Sequence, residues 1–92
     1  MDIRGLQAQI NSDYAERIKP LSLDYGLARL LVQSGQLGEA VLHKGDVGKE
    51  LADVLFVLVN VAIRCNVDLA DAVDTHIRGR STEDILARIN IA

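Results

Sequence analysis

The stretch that decides the fold is GKELADVLFVLVNVAIR, Gly48 to Arg64. Between Leu51 and Ile63 its only polar residues are Asp53 and Asn60. Apolar side chains would cover most of a helix circumference here. One narrow strip remains, holding Glu50, Asp53, Asn60 and Arg64. A helix that is greasy on nearly every side belongs in the middle of something. In a chain of 92 residues that middle is expected at a subunit interface, with Val57 and Val61 among the residues that a polar substitution would disrupt.

The flanks supply the rest of an all-α chain. This helix is predicted over 47–65, with Asp46 as its N-cap. Upstream, HKGD (43–46) turns the chain, and Gly45 is the expected helix-terminating glycine. A second helix runs over 23–42, capped by Ser22. At 100° per residue, Leu23, Leu27, Leu30, Ser34, Leu37 and Val41 share one face. Arg29, Gln33, Gln36, Glu39 and His43 lie opposite, where a solvated strip is one reading. Ile3, Leu6, Ile10, Tyr14 and Ile18 recur every three or four residues, the spacing of a first amphipathic helix, which Lys19-Pro20 ends. Downstream, Asp68 caps a helix over 69–78 with Leu69, Ala72, Val73 and Ile77 inward. After GRSTED, Ser81 with Asp84 resembles a capping box before a short last helix carrying Ile85, Leu86 and Ile89. The expectation is one domain over 1–92 with about five helices. The second to fourth form a bundle that homo-oligomerisation completes.

Composition narrows the function classes. A net charge of −3 gives no basic face for a nucleic-acid backbone. The Leu51–Ile63 run is shorter than the ~20 apolar residues a membrane span needs. MDIRGLQAQI, at the start, lacks the basic-then-apolar pattern of a signal peptide. The single cysteine, Cys65, excludes an intramolecular disulfide, fits a reducing compartment and is expected to be packed near the helix end. A soluble, cytoplasmic protein is expected, with no membrane or nucleic-acid partner.

Glu50 and Asp53 stand three residues apart, so on a helix both carboxylates aim at one volume. Exposed, they are a solvated strip that Lys49 or Arg64 can neutralise. Buried, they repel, lose hydration and demand protons or a cation. A hard divalent ion, Mg²⁺ or Mn²⁺, is the natural partner for oxygen ligands.

The segment KELADVLFVLVNVAIRCNVDLADAV (49–73) resembles the second motif region of the MazG-like all-α nucleoside triphosphate pyrophosphohydrolases. That family carries EExxE on one helix and ExxD, in a context like ELADVL, on a later one. Here ELADVL is Glu50–Leu55 and NVDLADAV is Asn66–Val73. VQSGQLGEAV, Val32–Val41, aligns with the first motif's context and brings Gly35, Leu37, Glu39, Ala40 and Val41 into register. The resemblance spans about Leu23 to Val73. It implies a helical homodimer or homotetramer that takes a nucleoside triphosphate with Mg²⁺ or Mn²⁺, cleaves between the α- and β-phosphates, and releases the nucleoside monophosphate and pyrophosphate. By the resemblance, Glu50 and Asp53 are catalytic, and Glu39, Glu50 and Asp53 hold metal, joined by the carbonyls of Gln33 and Gln36.

The departure lies in the first motif. Its three glutamates fall on Val32, Gln33 and Gln36, so the charge there is gone. Glu50 and Asp53 look like the surviving half of a two-helix metal site whose other half has become amides. Two outcomes follow: an enzyme with a weakened metal site, or a catalytically degenerate nucleotide-binding or assembly module. Arg78 and Arg80 follow the fourth helix, where the resemblance implies residues facing substrate phosphates; complementing a helix C-terminus explains them equally well. His43 and His76 are expected as surface or helix-end residues, outside any zinc-type arrangement.

Overall fold

A computed structural model describes residues 2–18 and 20–89. The predicted turn at Lys19-Pro20 therefore has its first residue outside the described residues. The described chain is all-helical: α1 Ile3–Ile18, α2 Leu23–Leu42, α3 Val47–Arg64, α4 Leu69–Val73 continuing as one π-helical turn Asp74–Arg78, and α5 Thr82–Ile89. No helix among the described residues is long and apolar enough to cross a membrane.

The helix starts follow the cap chemistry read from the sequence. The Ser22 hydroxyl accepts from Tyr25 N–H, Asp46 accepts from Lys49 N–H, and Asp68 accepts from Asp71 N–H. Each satisfies a backbone donor that the first helical turn leaves without a partner. Ser81 Oγ likewise accepts from Asp84 N–H at 3.2 Å.

The helix ends differ from expectation in one detail. At the α2 end the left-handed residue is Lys44, with φ 57°, not Gly45. Gly45 N–H donates to Ala40 O at 2.8 Å, and a Cβ on Gly45 would stand 3.1 Å from the Ala40 Cα. The glycine is thus required by close approach, while lysine takes the unfavourable dihedral. Asn66 plays the left-handed part after α3, with φ 55°. There Val67 N–H reaches back to Ala62 O and Asn66 N–H to Ile63 O, the Schellman pattern.

Helices α2 and α3 form an antiparallel hairpin, the most extensive helix pairing in the chain. Gly26 lies against Val61, which sets the register and puts Gln33 level with Val54. Helix α1 crosses the C-terminal half of α3 and meets α4. The small core forms there, from Ile10, Ile18 and the fully buried Val59, flanked by Leu6, Phe56, Ile63 and Leu69. Gln7 ties α1 to the α3–α4 connection: its amide donates to Val67 O at 2.7 Å and its carbonyl accepts from Leu69 N–H at 3.0 Å. Arg4 adds ion pairs to Asp68 and Asp71.

Helix α2 is rotated partway from the simplest reading of its sequence: Leu30 and Leu37 of the apolar face are half-buried, while Gln36, Glu39 and His43 of the polar face are exposed. Gln33, from the polar face, is buried at 9% exposure against α3, and Arg29 is half-buried. Leu23, Leu27 and Val41, from the apolar face, are exposed, as are Leu31 and Leu42. On α3 the outward apolar side chains are Leu51, Leu55 and Leu58. Val57 and Val61 face the cavity between the helices, so they are not the outward residues the sequence suggested. Of these exposed side chains only Leu23 lines that cavity; the others make up the leucine face of the hairpin. Cys65, expected to be packed, is exposed at the α3 C-cap.

The candidate active site

A cavity of about 430 Å³ lies between α1, α2 and α3, within the usual range for small-molecule sites. Tyr14 and Phe56 meet edge to face in its wall, with ring centroids 5.1 Å apart. The polar lining brings together Arg17 from α1, Arg29 and Gln33 from α2, and Asp53, Asn60 and Arg64 from α3. The α3 members are those of the narrow polar strip read from the sequence, less Glu50. Their convergence with α2 follows from the buried polar face of that helix.

The carboxylate pair is partly buried. The Glu50 side chain is 17% exposed and that of Asp53 40%. Lys49 Nζ approaches both, at 3.4 Å from Glu50 Oε1 and 3.0 Å from Asp53 Oδ2. The two carboxylates, Asp53 foremost, raise the Lys49 pKa above its ordinary value. A cation thus already lies on the pair, supplied by the chain itself.

Lys49 does not satisfy everything. Glu50 Oε2, Gln33 Oε1 and Asn60 Oδ1 are buried without a hydrogen-bond partner among the described residues. Asn60 Nδ2 donates to Phe56 O at 3.3 Å, which fixes that amide's orientation and leaves its oxygen as a bare acceptor. Buried acceptors without donors are costly, and such oxygens suit a hard cation or the N–H groups of a ligand.

The remaining candidates go elsewhere. Glu39 is exposed and pairs with His43, Nε2 to Oε2 3.3 Å, one turn along α2; this histidine thus has a carboxylate neighbour the sequence reading did not credit. Gln36 is exposed. No group of three or more His, Cys, Asp and Glu able to hold a metal occurs among the described residues. Of the expected ligands, Glu50 and Asp53 share the Lys49 ammonium, and Gln33 is buried on the facing helix. Arg78 pairs with Asp74 at 3.2 Å on the π turn, and neither it nor Arg80 lines the cavity. His76 is exposed and its carbonyl accepts from Arg88. The arginines that do line the cavity, Arg17, Arg29 and Arg64, were missed as ligand groups. The signal available was Arg29 and Gln33 one turn apart on a face otherwise taken for solvent.

No protein-family model matches the chain, and neither a curated protein nor a solved structure matches it at a significant level.

Proposed function

We propose that the chain is a MazG-like nucleoside triphosphate pyrophosphohydrolase homologue with a weakened metal site, acting in the cytoplasm. The observation that carries the reading is the pair of orphaned oxygens, Glu50 Oε2 and Gln33 Oε1, beside an arginine-lined cavity. Glu50, Asp53 and Gln33 would hold Mg²⁺ or Mn²⁺, which when bound supplies Lewis acidity at the phosphate oxygens. The chain's own residues do the rest. The Tyr14–Phe56 wall takes the base and excludes water. The Glu50 carboxylate oxygen that does not hold the ion accepts a proton from the attacking water. That water's oxygen bonds to the α-phosphorus, the bond to the α–β bridging oxygen breaks, and pyrophosphate leaves from the nucleoside monophosphate.

The same reading has a second copy covering the leucine face. The chain exposes 6741 Å², whereas a monomer of this mass exposes about 5,200 Å². The radius of gyration, 14.7 Å, exceeds the roughly 12 Å of a compact domain this long. The excess exceeds the ~800 Å² per partner that a standard interface buries, and Leu31 at 76% and Leu42 at 75% exposure are among the side chains awaiting it.

A second reading, a degenerate nucleotide-binding or assembly module, is favoured by Lys49 lying on both carboxylates and by Glu39 turned to His43. Pyrophosphate release from a panel of NTPs and dNTPs with Mg²⁺ or Mn²⁺ separates the two. Release that disappears in Glu50→Ala supports the enzyme. No release from a folded oligomer leaves the module.

A further inference from the structure

The cavity is cationic although the chain is acidic. Arg17, Arg29 and Arg64 line it, and Asp53 is the only carboxylate among its lining residues, already engaged by Lys49. Among the described residues none of the three arginines pairs with a carboxylate. Arg64 donates one nitrogen to Ile18 O at 2.7 Å and keeps its other donors. Guanidinium groups gathered around one cavity repel each other, and an anion relieves that repulsion. Their planar donor forks match phosphate oxygens.

The charges are also separated along the hairpin. Asp53 and Arg64 lie eleven residues apart on α3, which is about 16 Å at 1.5 Å per residue. The arginine end additionally contains Ser22 and Leu23, at the N-terminus of the twenty-residue α2, where the helix dipole favours negative charge. The carboxylate end contains Gln33, buried and with its carbonyl unpartnered.

We infer that Arg17, Arg29 and Arg64 form an anion subsite that needs no divalent ion, so that the ligand is a nucleotide carrying a second phosphate remote from its reacting phosphates. The nucleotide part of this inference rests on the function proposed above; the subsite itself rests on the arginines. With a triphosphate end held at Glu50 and Asp53, the ring lies against Phe56. The second phosphate then meets the guanidinium groups.

The test compares a nucleoside 3′,5′-bisphosphate with the matching 5′-monophosphate by calorimetry in EDTA. Wild-type protein is expected to bind the bisphosphate at least roughly tenfold tighter, a gap of about 1.4 kcal/mol. Arg17→Gln with Arg29→Gln should close the gap; neither side chain makes a hydrogen bond among the described residues, so folding should be retained and is checked by circular dichroism. Arg80→Gln, away from the cavity, should leave the gap intact. Equal affinity for the two ligands, or a gap that survives the double substitution, overturns the subsite. Failure of the hydrolase reading looks different: a bisphosphate preference in EDTA with no pyrophosphate release under any metal. Release that depends on Glu50, without the preference, keeps the enzyme and removes the subsite.

Discussion

Lys49 places its ammonium 3.0 Å from the carboxylate of Asp53, one helical turn ahead on α3. The contact is local, an i,i+4 pair, yet it decides how much negative charge the cavity offers to anything else. Lys49 and a divalent ion compete for the same two carboxylates.

Replacing Lys49 with glutamine should therefore strengthen the response to divalent ions. The melting temperature of Lys49→Gln should rise more steeply with Mg²⁺ than that of wild type, since ligand stabilisation grows with concentration over Kd. Identical titrations would mean that the carboxylates do not hold the ion. The pH dependence has a definite sign. Because the lysine pKa is raised in the fold, its contact persists below the ordinary value of 10.5 and is lost as pH climbs through the raised one.

The Gln33 carbonyl is buried without a donor among the described residues, so Gln33→Met keeps the volume and removes the orphaned group. Urea unfolding should show a gain of about 1 kcal/mol, with weaker nucleotide binding by calorimetry. A loss of stability would show that the amide has a partner in solution. Gln33→Glu with Gln36→Glu goes the other way: it should lower stability without metal and raise the Mg²⁺ response.

The leucine face is tested by charge. Leu55→Asp or Leu27→Asp should halve the mass seen in light scattering while leaving the helical circular dichroism in place. Val57→Asp is the contrasting variant, because Val57 lines the cavity and its substitution should impair ligand binding first. A wild-type protein that is monomeric at high concentration removes the second copy.

Asp68 supplies the acid limb of stability. Its carboxylate accepts from Asp71 N–H and pairs with Arg4, and these hold its pKa below the ordinary 3.8. A group depressed in the fold stabilises above its unfolded value and loses that effect as pH falls through the folded one. Asp68→Asn should thus unfold at lower urea than wild type at pH 7. The difference should close below about pH 3.8. A gap that stays constant into acid would assign the effect to the cap geometry alone.

The sequence by itself determined the helices and their starts. Ser22, Asp46, Asp68 and Ser81 are caps by side-chain chemistry alone, and the 3.6-residue period of α3 marks Glu50, Asp53, Asn60 and Arg64 as one strip. Local rules suffice because those hydrogen bonds join residues three or four positions apart. Which side of α2 turns inward was decided only in three dimensions. Its amphipathic pattern groups Leu23, Leu27, Leu30, Ser34, Leu37 and Val41 on one face, yet only Leu30 and Leu37 of these are half-buried, while the hairpin buries Gln33 and half-buries Arg29 from the opposite face. A single helix cannot specify that choice, because two neighbouring surfaces compete for it: α3 takes the border between the two faces, and Leu27, Leu31, Val41 and Leu42 stay exposed. The same packing brings Arg17 of α1 into one cavity lining with Arg29 and Arg64. Charge convergence of that kind depends on helix crossing, which no periodicity records.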